Sequence, residues 1–254
     1  RHLKALEKKY GGKILPLDTE HSAIFACLRG EEKKYVKSLV LTASGGALRD
    51  LPTSQLAKVK AEDALKHPVW NMGKKVTIDS ATLFNKGLEV IEAMRLFDVK
   101  AKDVKVVMHR ESIIHSLVEF SDGGMKALLS TPDMRLSIDT ALFYPEHANN
   151  SVAPLDLIKT GLLTFSAPDF DRFPCLKIAM DAAEAGEGAC IAISASDEVL
   201  VEEFLKGKIK YHDISNTLAK VLNKFKKVGD VELEDIIDID EKARKYTYSM
   251  IGVK

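Results

Sequence analysis

The sequence predicts an α/β (α+β) domain built on a β-sheet, then a long connector, then an all-α helical bundle. Three observations carry this. Short apolar runs such as "KSLVLTA" and "VKVVM" fall before about residue 130, among stretches of helical periodicity. "YPEHANNSVAPLDLIKTGLLTFSAPDFDRFP" is punctuated by prolines and has little periodicity, as an ordered connector would. From Cys175 on, "CLKIAMDAAEAG", "SASDEVLVEEFLKGKI", "ISNTLAKVLNKF" and "IIDIDEKARKYTYSMI" are four amphipathic segments with short breaks. The expected partition is a catalytic domain over 1–143, a connector over 144–170 and a helical domain over 171–254.

Taken in order, "RHLKALEKKYGG" reads as a helix ending at Gly11–Gly12. Ile14–Leu17 is consistent with a short strand, and "EHSAIFACLRG" with a helix stopped at Gly30. Ser38–Leu41 reads as a buried strand that runs into a small-residue loop. "TSQLAKVKAEDALKHP" reads as a helix capped by Thr53 or Ser54 and stopped before Pro68. "KKVTIDSATLFNKGLEVIEAMRLF" reads as a strand, a Ser/Thr/Asn-rich turn and a helix. "VKVVMHRESIIHSLVEFSDGGMKALLS" reads as strands with a hairpin at Asp122–Gly124.

The totals bound the function. The 254 residues are 46% hydrophobic, enough for one or two cores. Lys+Arg and Asp+Glu both number 37, so net charge is no argument for nucleic acid or an anionic membrane. Anion binding must be local. No apolar run approaches the roughly 20 residues of a membrane span. Cys27, Cys175 and Cys190 are far apart and read as free thiols of a reducing compartment. The excess of Lys over Arg and the single glutamine, Gln55, lean towards a thermophile. The chain opens at Arg1 inside a helix pattern, so a fragment is expected, with any upstream targeting sequence out of view.

"ILPLDTEHSAIF" sets Asp18 and Glu20 two apart, beside His21. After a strand, residues i and i+2 share a side, and two carboxylates there repel unless a cation joins them. Oxygen-only ligation suits Mg²⁺ or Mn²⁺. Taken alone, such a pair more often marks a solvated turn, here after Pro16, and a third acid is needed to make a cation site. "LTASGGALRD" offers Ser44 and two glycines whose amides can approach an oxyanion, or a plain strand-to-helix turn. In "TIDSATLFNKGLEVIEA", Ser80, Asn85 and Lys86 lie near a helix start, the end that favours phosphate. Glu89 is either a third metal ligand or an exposed helix acid. Residues 66–75, "KHPVWNMGKK", place His67 and Trp70 in a Pro/Gly-punctuated loop, the composition of a flap over a ligand. His115 sits in an apolar strand pattern, where a satisfied core histidine is the common case.

"LPLDTEHSAIF", "LTASGGALRDLP", "HPVWNMGKKVTIDSATLFNKGLEVIEA", "HRESIIHSLVEFSDG", "TPDMRLSI" and "LTFSAPDFDRFPCLKIA" occur in this order. Together they resemble the 1-deoxy-D-xylulose 5-phosphate reductoisomerases of isoprenoid-precursor synthesis, along nearly the whole chain. The resemblance implies an NADPH-dependent reductoisomerase that turns 1-deoxy-D-xylulose 5-phosphate into 2-C-methyl-D-erythritol 4-phosphate. It implies a divalent metal (Mg, Mn or Co) on Asp18, Glu20 and Glu89. It implies substrate contacts from Thr19, Ser44, His67, Trp70, Ser80, Asn85, Lys86 and Met134, the last near the nicotinamide. Glu20, His67 and His115 become the catalytic candidates, with His21 close by. A homodimer in a bacterial cytoplasm is implied, with a plastid left open, and no nucleic-acid or membrane partner. The chain departs from the family in Ala43 for a usual glycine, "HRES" for "HPQS" and "SASDE" for "NAANE". No GxGxxG-like turn occurs in the chain, so NADPH is expected to rest mainly on a domain outside it. A metal-dependent sugar-phosphate aldolase or phosphatase, and a non-catalytic dimerisation module, are the alternatives.

Overall fold

The computed structural model describes residues 1–149, 152–229 and 231–252. In chain order its helices are α1 (His2–Tyr10), α2 (Thr19–Cys27), α3 (Ala61–Ala64), α4 (Lys74–Thr82), α5 (Phe84–Phe97), α6 (Arg135–Phe143), α7 (Leu157–Thr160), α8 (Pro174–Ala185), α9 (Glu187–Leu205), α10 (Tyr211–Phe225) and α11 (Asp235–Ile251). The strands are β1 (Val36–Ala43), β2 (Val104–Met108), β3 (Ile114–Phe120) and β4 (Met125–Leu129). The α+β class and the C-terminal run of helices thus follow the expectation.

The chain clusters into two compact units, Arg1–Ser44 with Glu92–Pro168, and Gly45–Ile91 with Asp169–Lys254. Unit one holds one sheet in the order β2-β1-β3-β4. β1 pairs parallel with β2, Leu39 opposite Val104, and antiparallel with β3, Val40 opposite Leu117. A parallel pair requires a long crossover. Here the crossover is the chain between Ala43 and Val104, and its middle, 45–91, belongs to unit two. The β3–β4 pair is closed by a hairpin in which Asp122 Oδ1 accepts the Gly124 amide at 2.8 Å. α2 packs on the sheet with Ala23 and Ile24 fully buried, as are Leu39, Leu41 and Val118 beneath. Each such aliphatic side chain contributes about 1.5–3 kcal/mol.

The connector is ordered by polar contacts rather than by a core. Ser166 bridges Met108 in antiparallel fashion. Glu111 accepts from the Thr164 amide at 3.0 Å and its hydroxyl at 2.7 Å. His109, fully buried, stacks on Phe165 and takes the amides of Ile113 and Ile114 on Nε2, both at 3.1 Å.

In unit two α9 is the axis, packed by α4, α8, α10 and α11. Ile193 and Leu200 of α9 are fully buried with Leu176, Ile214 and Leu218. The same core contains Leu48, Leu56, Ile78 and Phe84. The helical core is therefore shared between 45–91 and 169–254 and is wider than residues 171–254.

Three local expectations are corrected. Ile14–Leu17 forms no strand: the Ile14 amide bonds Glu7 Oε1 at 2.8 Å, and Asp18 is already the N-cap position of α2. The strand rule for Asp18 and Glu20 therefore does not apply. "KKVTI" is helical, part of α4, because Leu83 at φ 59° breaks what would be one long helix into α4 and α5. The segment from Thr53 is a 3-10 turn, Thr53–Lys58, and then α3, with Val59 extended between them.

Candidate functional site

The start of α5 gathers three of the candidate residues. Asn85 Nδ2 donates to Glu89 Oε1 at 2.7 Å, and Lys86 Nζ donates to Glu89 Oε2 at 2.6 Å. Spacings of three and four put these side chains on one helix face. Lys86 is 5% exposed and Glu89 2%, so Glu89 is not a solvated helix acid. An ion pair buried this deeply contributes less stability than apolar packing of equal volume, so a role beyond stability is the natural reading.

Ser80 lies in the last turn of α4, under the small-residue loop that follows β1. Gly46 has φ +64°, and a Cβ there would come within 2.5 Å of the Ser80 carbonyl oxygen. The glycine is what lets the loop backbone lie on that turn. Ser44, half-buried, follows the last residue of β1.

In unit one, Asp18 stands at the N-cap position of α2 and Glu20 in its first turn. Their carboxylate oxygens come within 4.8 Å of each other. Thr19 donates its hydroxyl to Glu20 Oε2 at 2.5 Å. His21 is fully buried, with Nδ1 3.6 Å from Asp18 Oδ2 and Nε2 3.6 Å from Glu92 Oε2. Its ring stacks on Phe97. Asp18, His21 and Glu92 place ligand atoms within 4.8 Å of one another, a second set in which Glu92 was not foreseen. The signal for it was its position three residues after Glu89 on an amphipathic helix.

His115 on β3 is buried, and its Nε2 lies 2.7 Å from Ser130 Oγ. The Ser130 hydroxyl donates onward to the Thr131 carbonyl at 2.9 Å, so Nε2 of His115 carries the proton. His115, Thr19, Asp133 and Ser137 line a small cleft. Met134 is next to it in sequence, 41% exposed at the N-cap position of α6. Arg135 holds the Asp133 carboxyl down at about 2.

His67 organises the 66–75 segment. Its Nδ1 accepts the Val69 amide at 3.2 Å and the Trp70 amide at 2.8 Å, which leaves the proton on Nε2. Burial, and then the charge of Arg49, push the imidazole down to about 4, so it is neutral near pH 7. Trp70 is half-buried and precedes α4, outside any helix. Asp18, Thr19, Glu20, His21, Ser44, His115 and Met134 thus belong to unit one, and His67, Trp70, Ser80, Asn85, Lys86 and Glu89 to unit two.

Among the described residues no helix is long and apolar enough to cross a membrane. Two family models match, described as the 1-deoxy-D-xylulose 5-phosphate reductoisomerase C-terminal domain over residues 14–97 and the DXP reductoisomerase C-terminal domain over 129–246. A 1-deoxy-D-xylulose 5-phosphate reductoisomerase of Clostridium botulinum (strain Okra / Type B1) is 48% identical over 94% of this chain and 62% of its own length. A solved DOX-P reductoisomerase, in complex with NADPH, fosmidomycin and magnesium, is 43% identical with a TM-score of 0.91, over 96% of this chain and 65% of its own. The Zymomonas mobilis enzyme in complex with NADPH is 36% identical with a TM-score of 0.89, over 96% of this chain and 63% of its own. The chain thus spans somewhat under two thirds of the relatives it matches.

Proposed function

The chain belongs to the 1-deoxy-D-xylulose 5-phosphate reductoisomerase family, and from that premise we propose that it supplies the metal and substrate sites for the NADPH-dependent conversion of 1-deoxy-D-xylulose 5-phosphate to 2-C-methyl-D-erythritol 4-phosphate. The observation that carries the reading is the buried Asn85–Lys86–Glu89 set at a helix start. It joins a fixed ammonium, an amide and a carboxylate where a sugar phosphate needs a cation and hydrogen-bond partners.

We assign a divalent cation to Asp18, Glu20 and Glu89. The fit rests on donor chemistry. Asp18 and Glu20 offer close carboxylate oxygens, and Glu89 offers a buried carboxylate, whose pairing with Lys86 a bound cation would take over. These are hard oxygen donors of the kind Mg²⁺ and Mn²⁺ take. Bound there, such an ion supplies Lewis-acid polarisation of a sugar carbonyl and hydroxyl. NADPH supplies the hydride. The chain's own residues bind and orient. Ser44, Ser80, Asn85 and Lys86 hold the phosphate and hydroxyls, and Thr19 and Met134 border the substrate. His67 shapes the turn that brings Trp70 over the site and excludes water. His115, with its Nε2 proton fixed by Ser130, and Glu20 stand as the proton-handling groups. We further propose a homodimer in the cytoplasm, without nucleic-acid or membrane partners.

Calorimetry with Mn²⁺, followed by the sugar phosphate, tests the site. Saturable Mn²⁺ binding is expected, with sugar-phosphate binding dependent on it. Glu89→Gln is expected to weaken Mn²⁺ by about tenfold or more. An unchanged affinity in that variant removes Glu89 from the metal site. The reductase reading is tested by metal-dependent loss of NADPH absorbance on adding substrate. Phosphate release without NADPH oxidation would replace the reading with a phosphatase.

A further inference from the structure

Apart from the residues assigned above, unit two buries a cluster of charge beside the start of α4. Lys75 Nζ donates to Asp79 Oδ2 at 2.6 Å and to Asp197 Oδ2 at 2.7 Å. Lys75 and Asp79 are one turn apart on α4, and Asp197 is on α9. Asp79 is 2% exposed and Asp197 0%. Oδ1 of each is buried with no hydrogen-bond donor facing it. Both Oδ2 atoms accept from the one Lys75 ammonium, which holds the two carboxyl groups side by side.

Two carboxylates and one ammonium would leave a net negative charge on two covered carboxyl groups, with only Lys75, 42% exposed, reaching water. That is costly, and each orphan oxygen adds its own desolvation penalty. A single proton between the two carboxyls removes both problems. It neutralises the cluster and gives one carboxyl group a hydrogen to donate to the other.

We propose that Lys75, Asp79 and Asp197 form a one-proton lock: a proton shared by the two carboxyls, with Lys75 across both, fastens the start of α4 to α9. The last residues of the Trp70 segment lead directly into that start. The lock goes beyond the reductoisomerase reading and does not depend on it.

The surroundings agree. Burial first, and then the charge of Asp79, push the Asp197 carboxyl well up. Burial raises Asp79 too, against the pull of Lys75. For Lys75, burial acts to lower the ammonium, but the two carboxylates more than offset it and keep it charged. Glu198 on α9 adds negative charge and is paired with Arg244 of α11. The Cys175 thiol of α8 is pushed up by burial and by both aspartates, so it stays neutral. Tyr211 of α10 is likewise raised by burial and donates its hydroxyl to the Ala81 carbonyl at 3.0 Å.

Infrared spectroscopy and pH-dependent unfolding test the lock in the chain as it stands. At neutral pH the wild type is expected to show a protonated-carboxyl C=O band that Asp197→Asn and Asp79→Asn both lose. In either variant an amide donor replaces the shared proton. The folded state also holds one more proton than the unfolded chain above the ordinary aspartate range. The wild-type folding equilibrium is therefore expected to fall about tenfold more per pH unit than that of D197N as pH rises above the ordinary aspartate range, until the shared proton is lost. If D197N fails to fold, D79N carries the comparison, and the wild-type band is read alone. A wild type without the band, or with the same pH dependence as a folded variant, overturns the lock.

Discussion

At the scale of single residues, His67 shows how burial decides a role. Its Nδ1 is committed to the amides of Val69 and Trp70, and this requires a neutral ring. The folded imidazole titrates at about 4, below its ordinary value of 6.5, so the folded state binds fewer protons than the unfolded chain between those values. The stability it contributes is complete above the ordinary value and is lost as pH falls through the window towards 4. Acidifying from pH 7 to below 4 is therefore expected to open the turn and change the fluorescence of Trp70, the chain's one tryptophan. His67→Asn keeps a side-chain acceptor that cannot be protonated, and its fluorescence is expected to stay flat over that range. A variant that follows the wild-type titration would take His67 out of the turn. The identities of such residues were legible in the sequence, since Asp18, Glu89 and His67 stand in distinctive local patterns. Their partners were not. Nothing local says that Glu89 is buried against Lys86, or that Glu92 and Asp18 flank His21, because those contacts depend on which helix face the fold covers.

Elements were legible where pattern and punctuation agreed. β1 and β3, the Asp122–Gly124 hairpin and α8–α11 combine clear periodicity with clean stops. They failed where two short segments share one polar, small-residue run. "KKVTIDSATLFNKG" has β-branched residues that read as a strand, yet among the described residues no strand pairs with it, and burial of Ile78 and Phe84 in a helical core decides for helix. The break at Leu83 is a tertiary choice, a non-glycine residue held at φ 59° so that Thr82 ends one helix and Phe84 begins another. Gly46 is the matching device in the loop above. Gly46→Ala would put a methyl 2.5 Å from the Ser80 carbonyl and force a left-handed alanine. A loss of about 1–3 kcal/mol is expected, measured by denaturant titration. The metal site should respond less than Ser80-dependent substrate binding. Retention of full stability would show that the loop does not rest on α4 as described.

At the scale of the whole molecule, sequence order and spatial grouping diverge. The composition change near residue 144 is real, but the helical core draws Leu48, Leu56, Ile78 and Phe84 from a segment that lies between β1 and β2. A boundary drawn along the chain cannot reveal this, since a parallel β1–β2 pair says only that a crossover exists, not what the crossover packs against. The consequence can be tested by excision. Residues 171–254 alone keep α8–α11 but expose the faces that meet those four side chains, and Gly87 would leave the Ala179 surface it approaches too closely for any Cβ. Each missing buried apolar side chain costs about 1.5–3 kcal/mol, and four of them rival the whole stability of a small domain. The excised segment is therefore expected to keep helical circular dichroism, to bind a hydrophobic dye and to unfold without a cooperative transition. Adding residues 45–91 through a flexible linker is expected to restore cooperativity. A sharp, dye-free transition in 171–254 alone would show that the helical bundle is an independent domain, and that 45–91 is a passenger on its surface.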